Sequence, residues 1–176
     1  MSEESGARGA AGAPQGPLAG VRILDLSAVV SGPMATMVLA DQGADVIKVE
    51  PPGWGDGIRF LGASNNGVGA MFSMINRNKR SIAINWKHPD GAAIIRKLAE
   101  SSDALLQNYR PGKLDRVGLG FEDLHAINPN LIYASINGVG ETGPPSRVRK
   151  SSPSSQRASS EAVSDAPAGI TGLMSS

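Results

Sequence analysis

The sequence contains no cysteine among its 176 residues, which excludes disulfides, thiolate catalysis and cysteine-ligated metals. It also lacks any run of about 18 apolar residues, the length a membrane-spanning helix requires, so no membrane partner is expected. Net charge is nearly absent: 17 basic residues against 16 acidic ones leave +1. No global attraction to nucleic acid or anionic lipid follows, and any charge-based recognition must be local. The opening stretch, Met1 to Gly16, has no apolar segment of the kind a secretory signal carries, and a cytoplasmic protein is the expectation. The only histidines, His88 and His125, share no ligand spacing with each other or with carboxylates, so no metal is expected. No G-x-S-x-G segment is present to form a hydrolase elbow.

What remains is a globular balance, with 40% hydrophobic and 19% charged residues. Three regions differ in composition. Residues 1–16 are small and flexible, too poor in apolar surface to offset the entropy of ordering them, and are predicted to be a disordered tail. Residues 17–144 are patterned. Residues 145–176 are serine-rich, without helical or strand periodicity, and are predicted to be a second disordered stretch outside the patterned domain.

Within the patterned region short apolar runs alternate with helical stretches. Val21 to Leu26 reads as a strand, Ser31-Gly32-Pro33 as a helix start, Met34 to Gln42 as the helix, and Ala44 to Val49 as a second strand after Gly43. A strand–helix–strand unit of this length places both strands in one parallel sheet. The pattern recurs with a strand over Ser81–Asn85, an amphipathic helix over Pro89–Glu100 and a strand over Ala104–Gln107. Short helical turns follow over Leu114–Val117 and Phe121–Ile127, then a buried strand over Leu131–Ile136. The fold class this predicts is α/β, an open parallel sheet with flanking helices.

Four segments carry candidate chemistry. Gly138-Val-Gly140-Glu-Thr-Gly143 matches a dinucleotide fingerprint, but Pro144-Pro145 stand where its helix should open, so a turn ending the last strand is the better reading. The glycine-rich Pro51–Gly57 loop follows a strand, at the edge where open α/β sheets bind ligands; a surface loop is the equal alternative. Asn76-Arg77-Asn78-Lys79-Arg80 packs three cations into five residues. It reads either as a solvated basic face or as a polyphosphate contact, since arginine forks and lysine point charges suit phosphate oxygens. Asn108-Tyr109-Arg110-Pro111-Gly112 adds a ring that could stack and a further guanidinium just past another strand, with Arg116 one helical turn on.

Several long blocks, in register, resemble the class III CoA-transferases. They are Pro17–Ser27, Gly32–Pro51, Asn76–Ile82, Asn108–Gly120 and Asn128–Gly138. The resemblance implies the Rossmann-like large domain of that family, present only in part, and coenzyme A or an acyl-CoA as substrate. It implies a small-molecule acyl-CoA and a carboxylic acid as partners, and an interlocked homodimer in full-length members. By the same resemblance, coenzyme A would contact Val30, Ser31, Pro51, Ile84, Asn85, Trp86, Lys87, Asn108, Tyr109, Arg110 and Arg116. Family chemistry passes CoA through an aspartyl-CoA thioester, a carboxylate serving as nucleophile. That aspartate is expected roughly forty residues beyond the position of Gly138, so the chain is expected to stop short of it. Asp165, at too short a spacing and in unmatched surroundings, is not expected to replace it. The alternatives are a non-catalytic CoA-binding fragment or a relative of the α-methylacyl-CoA racemases, which share this half. The racemase's expected His-Asp pair is replaced by Ser146–Lys150.

Overall fold

The structure, a computed structural model, describes residues 15–138. Most of both predicted tails, residues 139–143 of the glycine motif, Ser146–Lys150 and Asp165 lie outside the described residues. Five strands form one parallel sheet: β1 (Arg22–Asp25), β2 (Asp45–Glu50), β5 (Lys79–Ala83), β6 (Ala104–Gln107) and β7 (Ile132–Ser135). Their order is β5-β2-β1-β6-β7. The chain thus winds outward from β1 in one direction, then returns to lay β6 on its other side. The reversal falls between β1 and β6, the topological switch point at whose carboxyl ends open α/β sheets hold ligands.

Period-two alternation along the strands divides the interior into two unlike faces. Leu24, Ile47, Val49 and Leu105 belong to the larger apolar core with Ile95 and Ala99 of α3 (Pro89–Glu100) and Leu124 of α4 (Phe121–His125). Burying each such side chain contributes roughly 1.5–3 kcal/mol. Opposite, Ile23 and Val46 pack with Ala40 of α1 (Ser31–Asp41) and Ala44. The next residues of that register are charged rather than apolar: Asp25 pairs in the ladder with Lys48, and both are buried, as is Glu50.

Helix α3 has the predicted bounds. Its His88 N-cap accepts a hydrogen bond from the Asp90 N–H at 3.3 Å, Pro89 opens it, and Asp90 and Lys97 complement the helix dipole at its two ends. Gly91 is required there, because a Cβ would stand 2.1 Å from the Asn85 carbonyl oxygen. Strand β5 begins two residues before its predicted start, at Lys79.

The segment between β2 and β5 holds structure that periodicity did not show. It contains a 3-10 turn over Gly57–Phe60, a hairpin of β3 (Ser64–Asn65) and β4 (Val68–Gly69), and α2 (Ala70–Asn76). These elements are too short to display a period. Among the described residues no helix is long and apolar enough to cross a membrane.

Candidate functional site

The loop after β1 occupies the switch point and is clamped from both sides. Toward β6, the Asn108 amide accepts from the Ala28 N–H at 2.9 Å and donates to the Ala28 carbonyl at 2.8 Å. The same Nδ2 reaches the Ser31 hydroxyl at 3.4 Å. Toward β2, the Val29 N–H donates to both carboxylate oxygens of Asp56, at 3.1 and 3.2 Å. Val29 between these clamps has a φ of 69°, a left-handed conformation that costs a β-branched residue roughly 1–3 kcal/mol. Its neighbours over-determine it. Val30 then serves as N-cap of α1 without a side-chain cap, so Val30 and Ser31 are presented at an open helix start, where backbone N–H groups favour anions.

Beneath the loop lies a chain of buried charges. The Asp25 carboxylate accepts from the Ser27 N–H at 2.9 Å, the Ser27 hydroxyl, the Thr36 hydroxyl at 2.7 Å and the Lys79 ammonium at 3.0 Å. Lys79 also donates to the Pro33 carbonyl and to Asn76. Lys48 pairs with Asp56 at 2.9 Å, the two side chains only 1% and 2% exposed. Glu50 accepts both prongs of Arg59 at 2.7 Å, the Asp56 N–H at 2.9 Å and the Ser81 hydroxyl at 2.8 Å. Burial alone would raise the Glu50 pKa; the Arg59 fork and the other donors outweigh it and hold it at about 2.

The basic run at Asn76–Arg80 divides into a solvated part and a buried one. Arg77 and Arg80 lie on an exposed face, each paired with a surface carboxylate, while the Lys79 side chain alone is buried on its carboxylate. Arg77 pairs with Asp41, Lys79 with Asp25 and Arg80 with Asp45. Sequence spacing could not show this, since the carboxylate partners are over thirty positions away. The glycine-rich loop is likewise anchored, since Asp56 within it is buried and holds Val29.

The rim beyond the clamp is of another character. Trp86 and Tyr109 lie with ring centroids 5.1 Å apart. The Lys113 ammonium stands 4.1 Å from the Tyr109 ring centre and 5.4 Å from that of Trp86, and Lys87 stands 5.8 Å from Trp86 on its own account. Burial lowers the Lys113 pKa, and the like charges of Lys87 and Arg110 push it the same way. Burial raises that of Tyr109, and the carboxylates of Asp56 and Asp25 act in the same sense against an opposing contribution from Trp86. Arg110 and Lys113 are adjacent because Arg110-Pro111-Gly112-Lys113 closes a turn, the Lys113 N–H donating to the Arg110 carbonyl at 3.1 Å with Gly112 at a φ of 76°. Proline then glycine at the central positions is the pattern of a type II turn.

The expected contact residues therefore fall into groups. Val30, Ser31 and Asn108 meet at the clamp, and Lys87, Tyr109 and Arg110 meet at the rim, over Trp86, which is buried in the apolar core. Ile84 is buried in the apolar core, and Asn85 turns the chain into Lys87 by accepting its N–H at 3.3 Å. Pro51 lies apart, in a cleft of about 340 Å³ lined also by Trp54, Arg59, Phe60, Ser81 and Ala83. Arg116 is exposed on the 3-10 turn over Asp115–Val117, and no hydrogen bond or ion pair among the described residues engages it. Two participants were not singled out from sequence, Asp56 and Lys113. The proline–glycine turn was a usable signal for Lys113, because it sets the residue following it beside Arg110.

An open parallel α/β sheet of this kind offers its switch-point edge as the usual place for a ligand. Residues 18–174 match CoA-transferase family III, and the chain belongs to that family. The match runs through residues 145–174, which composition alone had set apart. Among similar proteins, succinyl-CoA:glutarate CoA-transferase of Homo sapiens is 49% identical over 155 residues, covering 88% of this chain and 33% of the relative. Formyl-CoA:oxalate CoA-transferase of Escherichia coli O81 (strain ED1a) is 43% identical over 129 residues, covering 73% and 31%. A solved CAIB/BAIF family protein from Brucella suis superposes with a TM-score of 0.69 at 42% identity, covering 73% of this chain and 35% of that one. The chain thus spans about a third of the length of the curated relatives it matches.

Proposed function

We propose that this chain forms the coenzyme A-holding part of a CoA-transferase, one that moves CoA between an acyl-CoA and a carboxylic acid. The observation that carries the reading is the rim at the switch point, where three cations without a carboxylate partner among the described residues surround two aromatic side chains. A phosphorylated adenosine carrier offers the complementary groups, phosphate oxygens for ammonium and guanidinium and a flat base for the half-buried Tyr109 ring, which Trp86 backs from the core. The clamped loop at Val30 and Ser31 and the exposed Arg116 complete the proposed contact set, with Pro51 and the Asn85–Lys87 turn on its β2 side.

In the proposed reaction an aspartate carboxylate attacks the thioester carbonyl of the donor, the C–S bond breaks, and CoA leaves as a thiolate, with an acyl-aspartyl mixed anhydride remaining. The thiolate then attacks the aspartyl carbonyl, releasing the donor acid and forming an aspartyl-CoA thioester, from which the acceptor carboxylate takes CoA by the same two steps in reverse. The strand-end aspartates among the described residues are committed elsewhere: Asp25 and Asp56 are each held by an ammonium and by backbone N–H groups. The proposed nucleophile is an aspartate other than Asp25 or Asp56, and a second copy of the chain, in a cytoplasmic dimer, is the proposed setting. The chain is expected to bind coenzyme A through this rim. Calorimetric titration with CoA, followed by a transfer assay with succinyl-, oxalyl- or formyl-CoA as donor, tests both halves. Saturable binding is the expected result. Absence of saturable binding would sink the reading, and measurable turnover would place the nucleophile in this chain.

A further inference from the structure

Nearly every cation along β1, β2 and β5 has a carboxylate partner: Arg22 and Arg80 share Asp45, Lys48 takes Asp56, Arg59 takes Glu50, Arg77 takes Asp41 and Lys79 takes Asp25. The rim departs from this rule. Among the described residues Lys87, Arg110 and Lys113 have no carboxylate at salt-bridge distance, and the charges that bear most on Lys113 are the other two cations. Like charges held together cost free energy unless an anion is meant to sit among them.

The three positions are also fixed by the fold. Lys87 leaves a turn whose Asn85 carbonyl is packed on Gly91, and Arg110 and Lys113 are the two ends of the proline–glycine turn. Lys113 is further held over the Tyr109 ring at 4.1 Å, a cation–π contact that sets an ammonium in place while leaving its N–H donors free for an oxygen ligand. Arg110 supplies a planar fork and the lysines point charges, a combination that can engage several oxygens of a phosphate dianion at once.

We propose that Lys113, with Lys87 and Arg110, forms a subsite for a phosphate monoester dianion, and that Lys113 is the residue by which the protein distinguishes a nucleotide carrier bearing a ribose phosphate from one lacking it. The proposal rests on the reading that coenzyme A binds at this rim, and it assigns the ribose 3′-phosphate to this subsite, leaving the pyrophosphate to other donors.

Dephospho-CoA differs from CoA by that phosphate alone, so the two ligands, titrated calorimetrically against the full chain at fixed ionic strength, isolate the subsite. CoA should bind about tenfold more tightly than dephospho-CoA, the size of one good charge-assisted contact. Lys113→Met keeps the apolar stem against Tyr109 and should bring the ratio to within about twofold, by weakening CoA and leaving dephospho-CoA nearly unchanged. Lys97→Met, the same change at an exposed lysine of α3, should leave the ratio intact. Equal wild-type affinity for the two ligands, or a Lys113→Met variant that weakens both alike, would overturn this inference while the coenzyme A reading stands. Failure of both ligands to bind would overturn the two together.

Discussion

Two sets of cations in this molecule differ in how they are paired. Lys48, Lys79 and Arg59 are directed inward, each on a carboxylate, and fix the loops after β1 and β2. Lys87, Arg110 and Lys113 are directed outward around Trp86 and Tyr109 and have no such partner among the described residues. The difference teaches that local charge density says little about role. The basic run Asn76–Arg80 gives only Lys79 to the folding set and leaves Arg77 and Arg80 in exposed surface pairs, whereas the rim assembles single cations from separate turns. Pairing distinguishes them, and pairing is a property of the tertiary structure.

The largest effects should come from breaking the inner set. Lys48→Met leaves the Asp56 carboxylate buried and unpaired, and such losses cost about 3–5 kcal/mol. Because Asp56 also holds the Val29 N–H, the left-handed Val29 should lose its restraint, and urea unfolding should show the destabilisation directly.

Acid should act on the same set. The Glu50 pKa falls from 4.5 to about 2 on folding, so the unfolded chain takes up the proton first as pH drops. The stabilisation is complete above about pH 4.5 and is lost as pH falls through about 2, amounting to about 3 kcal/mol at roughly 1.4 kcal/mol per pH unit. Unfolding free energies of wild type and Glu50→Gln measured across that window should converge toward its acidic end. Parallel curves would remove Glu50 from the account.

A smaller change links the two sets. Gly91→Ala sets a methyl group 2.1 Å from the Asn85 carbonyl oxygen, and backbone cannot yield as a flexible side chain would. A loss of about 1–3 kcal/mol is expected, together with displacement of Lys87 and weaker binding of coenzyme A. Unfolding and titration of one sample should therefore both respond.

Much of the architecture was legible from the residues alone. Helix α3 and strand β6 stand at their predicted bounds because Pro89 and the repeating apolar positions signal them over a full helix. Three kinds of feature were not legible. The elements between β2 and β5 are shorter than any period. The buried ladder of Asp25, Lys48 and Glu50 reads in sequence as ordinary polar alternation, and only the covering α1 and the 3-10 turn over Gly57–Phe60 bury it. The site was half legible, since Lys87, Tyr109 and Arg110 were placed by their position after strands, while Lys113 needed the turn that folds it back.

The division between folding cations and binding cations is tested most directly on two matched variants, Lys79→Met and Lys87→Met, by measuring for each the urea midpoint and the dissociation constant of coenzyme A. Lys79→Met should lower the midpoint by the equivalent of about 3 kcal/mol or more. Lys87→Met should leave it within about 0.5 kcal/mol of wild type, as exposed substitutions do, and weaken coenzyme A about fivefold or more. A Lys87→Met protein that holds coenzyme A as tightly as wild type, or a Lys79→Met protein of unaltered stability, would contradict it.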